Sequence, residues 1–203
     1  MCIRDRVSVA PIGFDARFSA LERTYVYRIC DASDYCDYDP RMRGFVLKLD
    51  DVLDVDAMNQ AARLMIGLHD FGSFARPNPG GTTIRDVKSV CWERVGTRAN
   101  DVRVKLKTGC VPPVEQGLLE FTIVADAFAH NMVRSLVQAC VQIGCGKRSF
   151  DWFEEKINVP LREGSTGPID PHGLTLEYVA YPPDEELASR AEKIRARRDS
   201  AEL

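Results

Sequence analysis

Residues 128–144 read FAHNMVRSLVQACVQIG, and this stretch decides how the rest of the chain is organised. Phe128, Met132, Leu136, Cys140 and Ile143 recur at helical spacing, and Val133, Val137 and Val141 widen the stripe. A helix this apolar must be largely buried, and the pattern predicts it from Ala127 to about Ile143. Between Ala127 and Gly146, Arg134 is the only charged residue. A guanidinium cannot shed its charge, so on such a helix it needs an anionic partner, and no carboxylate lies on the helix itself. The competing reading is that Arg134 reaches water along a polar stripe with His130 and Gln138. Spacing alone leaves both open. Polar residues interrupt the run, so it falls short of the ~20 apolar residues of a membrane span.

Working outward, the neighbouring segments read as strands and shorter helices. Leu119, Phe121 and Ile123 alternate with Glu120 and Thr122, and Val87–Val95 supports a second strand. Val102, Val104 and Leu106 alternate with Arg103, Lys105 and Lys107. Pro112 and Pro113 make residues 108–116 a connection, since neither can sit in a paired ladder. Upstream, Arg23–Ile29 is a half-buried strand with Tyr25, Tyr27 and Ile29 on one face. Asp54 opens a helical pattern carried by Met58, Ala61, Ala62, Met65 and Ile66, with Gly67 as its stop. Downstream come a short helix near Phe150–Ile157, a Gly/Pro loop and a last strand around Leu174–Ala180. The class is α+β, a mixed or antiparallel sheet with helices packed on it. Residues 1–6, MCIRDR, fit no element and read as a leader foreign to the fragment. Residues 7–182 form the folded portion, and 183–203 a charged tail expected as a solvated or frayed helix.

Composition narrows the function classes. The chain has 203 residues, 45% hydrophobic and 28% charged, with a formal net charge of -3. That balance argues against a wholesale basic nucleic-acid binder, yet it leaves a local basic cleft open. The seven cysteines contain no CxxC and the three histidines are scattered, so no metal site is expected. An odd cysteine count without a signal peptide points to reduced, mostly buried thiols in a cytoplasm.

Two further segments carry possible chemistry. In FDARFSALERTYVY (14–27), Arg17 and Arg23 flank aromatics. That arrangement suits base stacking, worth ~1–3 kcal/mol per base, and phosphate binding. The simpler alternative makes Phe14, Phe18 and Tyr27 core and the arginines surface. In GLHDFGSFARP (67–77), His69 and Asp70 invite an acid–base role, against local hydrogen bonding at a helix end. Phe71 and Phe74 read as core anchors.

Taken in order, FDARFSA, RTYVY, HDFGSF, IRDV, AFAHNMVRSLV and HGLTLEYVAYP resemble the signature blocks of the TruA family of tRNA pseudouridine synthases, from about Val7 to Pro182. The resemblance implies a pseudouridine-synthase fold truncated at its N-terminus. It implies an isomerase that converts uridines of the tRNA anticodon arm to pseudouridine, without cofactor or metal. A carboxylate attacks the flipped-out nucleotide, the glycosidic bond breaks and the base is rejoined through carbon; flipping exposes atoms a stack would hide. Tyr25 matches the tyrosine that packs against the target base. Arg134 matches the arginine that pairs with the nucleophilic aspartate, and Leu174 an apolar residue of the pocket. Arg17, Arg23 and Arg85 are expected RNA contacts. tRNA, a second copy of the chain in a homodimer and a cytoplasmic location follow from the same likeness.

One departure matters. The family's nucleophile sits in a G-R-T-D-A-G-x-H block, and no such string occurs in the 203 residues. Asp15, Asp70, Asp86 and Asp126 lie in matched blocks but not at the nucleophile's position. The expectation is an enzyme by family, catalytically incomplete as it stands. The alternatives are a tRNA-binding chaperone without catalysis and an α+β interaction module without RNA. Tyr25 and Arg134 together favour the first, and if it holds they must meet in one pocket.

Overall fold

The computed structural model describes residues 9–33, 38–76, 78, 81–95, 117–161 and 167–195. The strand expected over 102–106, its 108–116 connection and the 1–6 leader lie outside them. Among the described residues six strands form one mixed sheet: β1 (Glu22–Cys30), β2 (Leu47–Lys48), β3 (Gly67–Asp70), β4 (Ile84–Arg94), β5 (Leu119–Ala125) and β6 (Leu174–Ala180). The order is β2-β1-β5-β4-β3, with β6 also paired to β1. β1 and β2 run parallel, and every other pairing is antiparallel. This is the α+β architecture the alternation predicts.

β1 organises the sheet because its side chains suit two neighbours at once. Tyr27 sits opposite Phe121 on one side and Leu174 on the other. Among the described residues four α-helices accompany the sheet: α1 (Val55–Arg63), α2 (Met132–Gly144), α3 (Phe150–Asn158) and α4 (Leu187–Arg195). Met58, Leu136, Cys140 and Phe153 join Tyr27, Ile29, Phe121 and Ile123 in one core. Trp92 packs on Phe121 there, ring centroids 4.8 Å apart. α1 and α2 approach closely at Gly144, where a Cβ would lie 2.6 Å from the Met58 sulfur.

Asp54 caps α1 as its sequence predicts, accepting from the Ala57 N–H at 3.0 Å. Several expectations need correction. α2 starts at Met132 rather than Ala127, because Asn131 adopts φ 64°, a left-handed conformation that breaks the helix but that asparagine tolerates. Phe128 and His130 therefore belong to the preceding turn, and Arg134 to the helix's first turn. His69 and Asp70 lie on β3, not at a helix end. The Asp70 carboxylate accepts from the Gly72 N–H and the Thr83 hydroxyl. The tail is not simply solvated: Leu187 and Ala191 of α4 are buried, and the Ser19 hydroxyl donates to the Leu187 carbonyl at 2.9 Å. Cys91, Cys140 and Cys145 lie outside any disulfide, whereas Cys30 is disulfide-bonded, against the reading of reduced cysteines. Among the described residues no helix is long and apolar enough to cross a membrane.

Candidate functional site

A cavity of about 400 Å³ opens between β1, the loop before β4, the turn leading into α2 and the start of β6. Tyr25, Arg134 and Leu174 all line it, so the residues expected at the reacting nucleotide share one concavity. Arg17 and Arg85 line it as well. Arg23 does not: its guanidinium donates to the carbonyls of Asp126, at 2.7 Å, and of Arg17. It braces the turn that carries Arg17, a structural task that its place in the sequence did not reveal.

Each wall is fixed by a local cause. Tyr25 is central in β1, opposite Ile123 of β5 and Leu176 of β6. Its ring meets Phe128 edge-on, with centroids 5.1 Å apart and planes at 86°, an arrangement aromatic quadrupoles favour. The left-handed Asn131 joins the turn carrying Phe128 to α2, and Phe128 lines the cavity together with Met132, Val133 and Arg134 of the helix. Leu174 begins β6 directly after a short turn, Pro171–Gly173, capped by Asp170.

Arg134 is held at its base and open at its tip. Its backbone carbonyl accepts from the Ile169 N–H at 3.2 Å, and its Nε donates to the Ile169 carbonyl at 2.6 Å. The guanidinium makes no ion pair with any described residue. The Ile169–Gly173 segment is itself pinned by Tyr27, whose hydroxyl donates to the Asp170 carbonyl at 2.5 Å. Burial, then the nearby Asp170 charge, pushes the Tyr27 phenol well above its ordinary 10.0, so it stays a donor. The Asp170 carboxyl is held below the usual carboxylate range by the His172 backbone N–H and then its imidazole, with Arg134 a smaller influence.

The electrostatics are one-sided. Arg17, Arg76, Arg85 and Arg134 line the cavity, and none of the lining residues is Asp or Glu. In a chain of net charge -3 this is a local concentration of positive charge, suited to an anion. The four aspartates of the matched blocks stay outside it. Asp15 accepts from the Arg17 and Phe18 N–H groups, and Asp126 from the Asp86 N–H. Among the described residues no group of three or more His, Cys, Asp or Glu could hold a metal. Reading the sequence missed Arg76 and Asn131. Arg76 stood at the edge of a turn-rich loop, and only the bond from its N–H to the His130 carbonyl, 2.9 Å, ties it to the site.

Comparison with known proteins points the same way. A family model described as tRNA pseudouridine synthase matches residues 61–182. The tRNA pseudouridine synthase A of Bifidobacterium animalis subsp. lactis is 65% identical over 192 residues, covering 95% of this chain and 64% of the relative. Its namesake in Streptomyces griseus is 43% identical over 190 residues, 94% of this chain and 60% of the relative. That of Cutibacterium acnes is 40% identical over 197 residues, 97% of this chain and 64% of the relative. The chain thus spans less than two thirds of the length of these relatives.

Proposed function

Because the chain belongs to the tRNA pseudouridine synthase family, we propose that it is the uridine-binding portion of an isomerase that makes pseudouridine in the anticodon arm of tRNA. The reaction breaks the bond from C1′ to N1 of uracil and forms one from C1′ to C5. The C5 proton is lost and N1 gains one, so the balance needs no cofactor. Tyr25 packs on the flipped base, Leu174 lines its pocket, and Arg134 orients the attacking carboxylate. That carboxylate is not among the residues lining the cavity, and the family's nucleophile block is absent from the 203 residues. The chain alone therefore binds but does not isomerise. A homodimer in the cytoplasm is part of the same reading, supported by the family likeness alone.

The observation that carries the proposal is the open guanidinium of Arg134, facing a cavity shared with Tyr25 and Leu174 and free of acidic residues. A half-buried cation with no ion pair among the described residues calls for an anionic partner. The test joins the chain to the part of the Bifidobacterium animalis relative that it lacks and follows pseudouridine in a tRNA transcript. The joined protein is expected to be active. Arg134→Ala, by leaving the carboxylate unpaired, costs about 3–5 kcal/mol, a rate loss of roughly 10²–10⁴-fold. An Arg134→Ala variant as fast as the parent would end the assignment.

A further inference from the structure

The cavity has more positive charge than one carboxylate can use. Its apolar lining comes from Tyr25, Phe128 and Leu174, and its cationic lining beyond Arg134 from Arg17, Arg76 and Arg85. These three arginines stand on separate segments: the turn before β1, the loop after β3 and the first residues of β4. Their bases are fixed. The Arg17 N–H donates to Asp15 at 2.8 Å, and the Arg17 guanidinium lies 5.1 Å from the centre of the Phe18 ring. The Arg76 N–H donates to the His130 carbonyl at 2.9 Å. Arg85 is paired with His69 across β3 and β4, and its guanidinium donates to the Ile84 carbonyl at 2.5 Å. Neither Arg17 nor Arg76 forms an ion pair with a described residue. Arg28, Arg41 and Arg94, by contrast, each meet a carboxylate.

A planar carboxylate is satisfied by one or two guanidinium forks, whereas a tetrahedral phosphate offers oxygens in several directions to donors arriving from several segments. A nucleoside carries no charge for these residues to meet. At about 400 Å³ the cavity is large enough for a nucleotide. We infer that Arg76, together with Arg17 and Arg85, grips the phosphate of the nucleotide whose base rests on Tyr25. The chain thereby recognises phosphorylated uridine rather than uridine. The inference rests on the uridine-site reading above and adds Arg76 to it.

Isothermal titration of the 203-residue chain at low salt, with uridine monophosphate, uridine and inorganic phosphate, tests it without any turnover. Uridine monophosphate is expected to bind about tenfold or more tightly than uridine, as charge-assisted hydrogen bonds allow. Inorganic phosphate should compete with it. Arg76→Gln should remove most of that preference and Arg76→Lys part of it, with circular dichroism confirming that both stay folded. Arg63→Gln, on the exposed face of α1, should change nothing. Equal affinity for uridine and its monophosphate, no measurable binding of the monophosphate, or full preference in folded Arg76→Gln would each overturn the inference. Failure of the joined protein to isomerise tRNA, with the phosphate preference intact, would instead sink the catalytic reading alone.

Discussion

Two arginines on this chain show how the same side chain serves opposite ends. Arg94 donates twice to Asp31, at 2.8 and 2.9 Å, and the Asp31 side chain is fully buried. Burial alone would raise the Asp31 carboxyl, but hydrogen bonds from Arg94, Ser33 and the Leu53 N–H outweigh it and hold it below its ordinary 3.8. A carboxylate depressed in the folded state stabilises above its unfolded value, and that contribution is lost as pH falls through the folded one. Asp31→Asn should therefore cost about 3 kcal/mol at neutral pH by stranding the Arg94 charge. The gap from wild type should narrow as pH drops below about 4. Urea unfolding of both proteins across that range checks it, and a gap that does not change with pH would mean the pair is not ionic. Arg134 is the reverse case, a cation left open at its tip. A need for an anion was one of two readings that the apolar helix around it left open. The identity of that anion could not be read, because none of the described residues lining the site is a carboxylate.

At the scale of elements, the support of Arg134 runs through β1 and the turn before β6. Gly173 packs flat on β1, where an added Cβ would lie 2.6 Å from the Arg28 carbonyl and 2.6 Å from the Tyr27 ring. Neither is a flexible tip, so Gly173→Ala must push the turn outward, at about 1–3 kcal/mol. That movement carries Leu174 and the Ile169 carbonyl with it. In the joined protein the variant should lose activity as well as melting temperature. Gly44→Ala, with no atom within 4 Å of the new methyl, should stay within about 0.5 kcal/mol of the parent. Comparable losses at the two glycines would remove the special place of the Gly173 turn. The long strands were legible because one buried face imposes a period of two, and β6 matches its expected span. β2 was not, since two residues, Leu47 and Lys48, carry no period. The start of α2 was misread for a related reason. Phe128 continues the apolar pattern, but Asn131 takes φ 64° beside a turn whose His130 carbonyl accepts from the Arg76 N–H, a long-range contact that no local pattern encodes.

At the scale of the whole molecule, α1, α2 and α3 pack on the sheet around the main core of the described residues, a second small cluster forms at Cys30, Met42, Val46 and Leu118, and β6 pairs only with β1 among the described residues. Leu176 and Tyr178 on one face of β6 are 48% and 61% exposed. Docking of α4 through Leu187 was hidden from the sequence because a charged segment with few apolar residues reads as solvated. The cavity's composition was half legible: the ordered blocks brought Tyr25, Arg134 and Leu174 to one site, while Arg76 emerged only from the loop's path. The central claim is that this chain holds and orients a uridine but lacks the group that makes the bond, since positioning cannot replace a nucleophile. Pseudouridine formation in a tRNA transcript, measured for the purified 203-residue chain beside the joined protein, tests this most directly. The account predicts turnover by the joined protein and none by the chain alone. Robust turnover by the chain alone would contradict it and place the nucleophile among the carboxylates assigned here to turns and ion pairs.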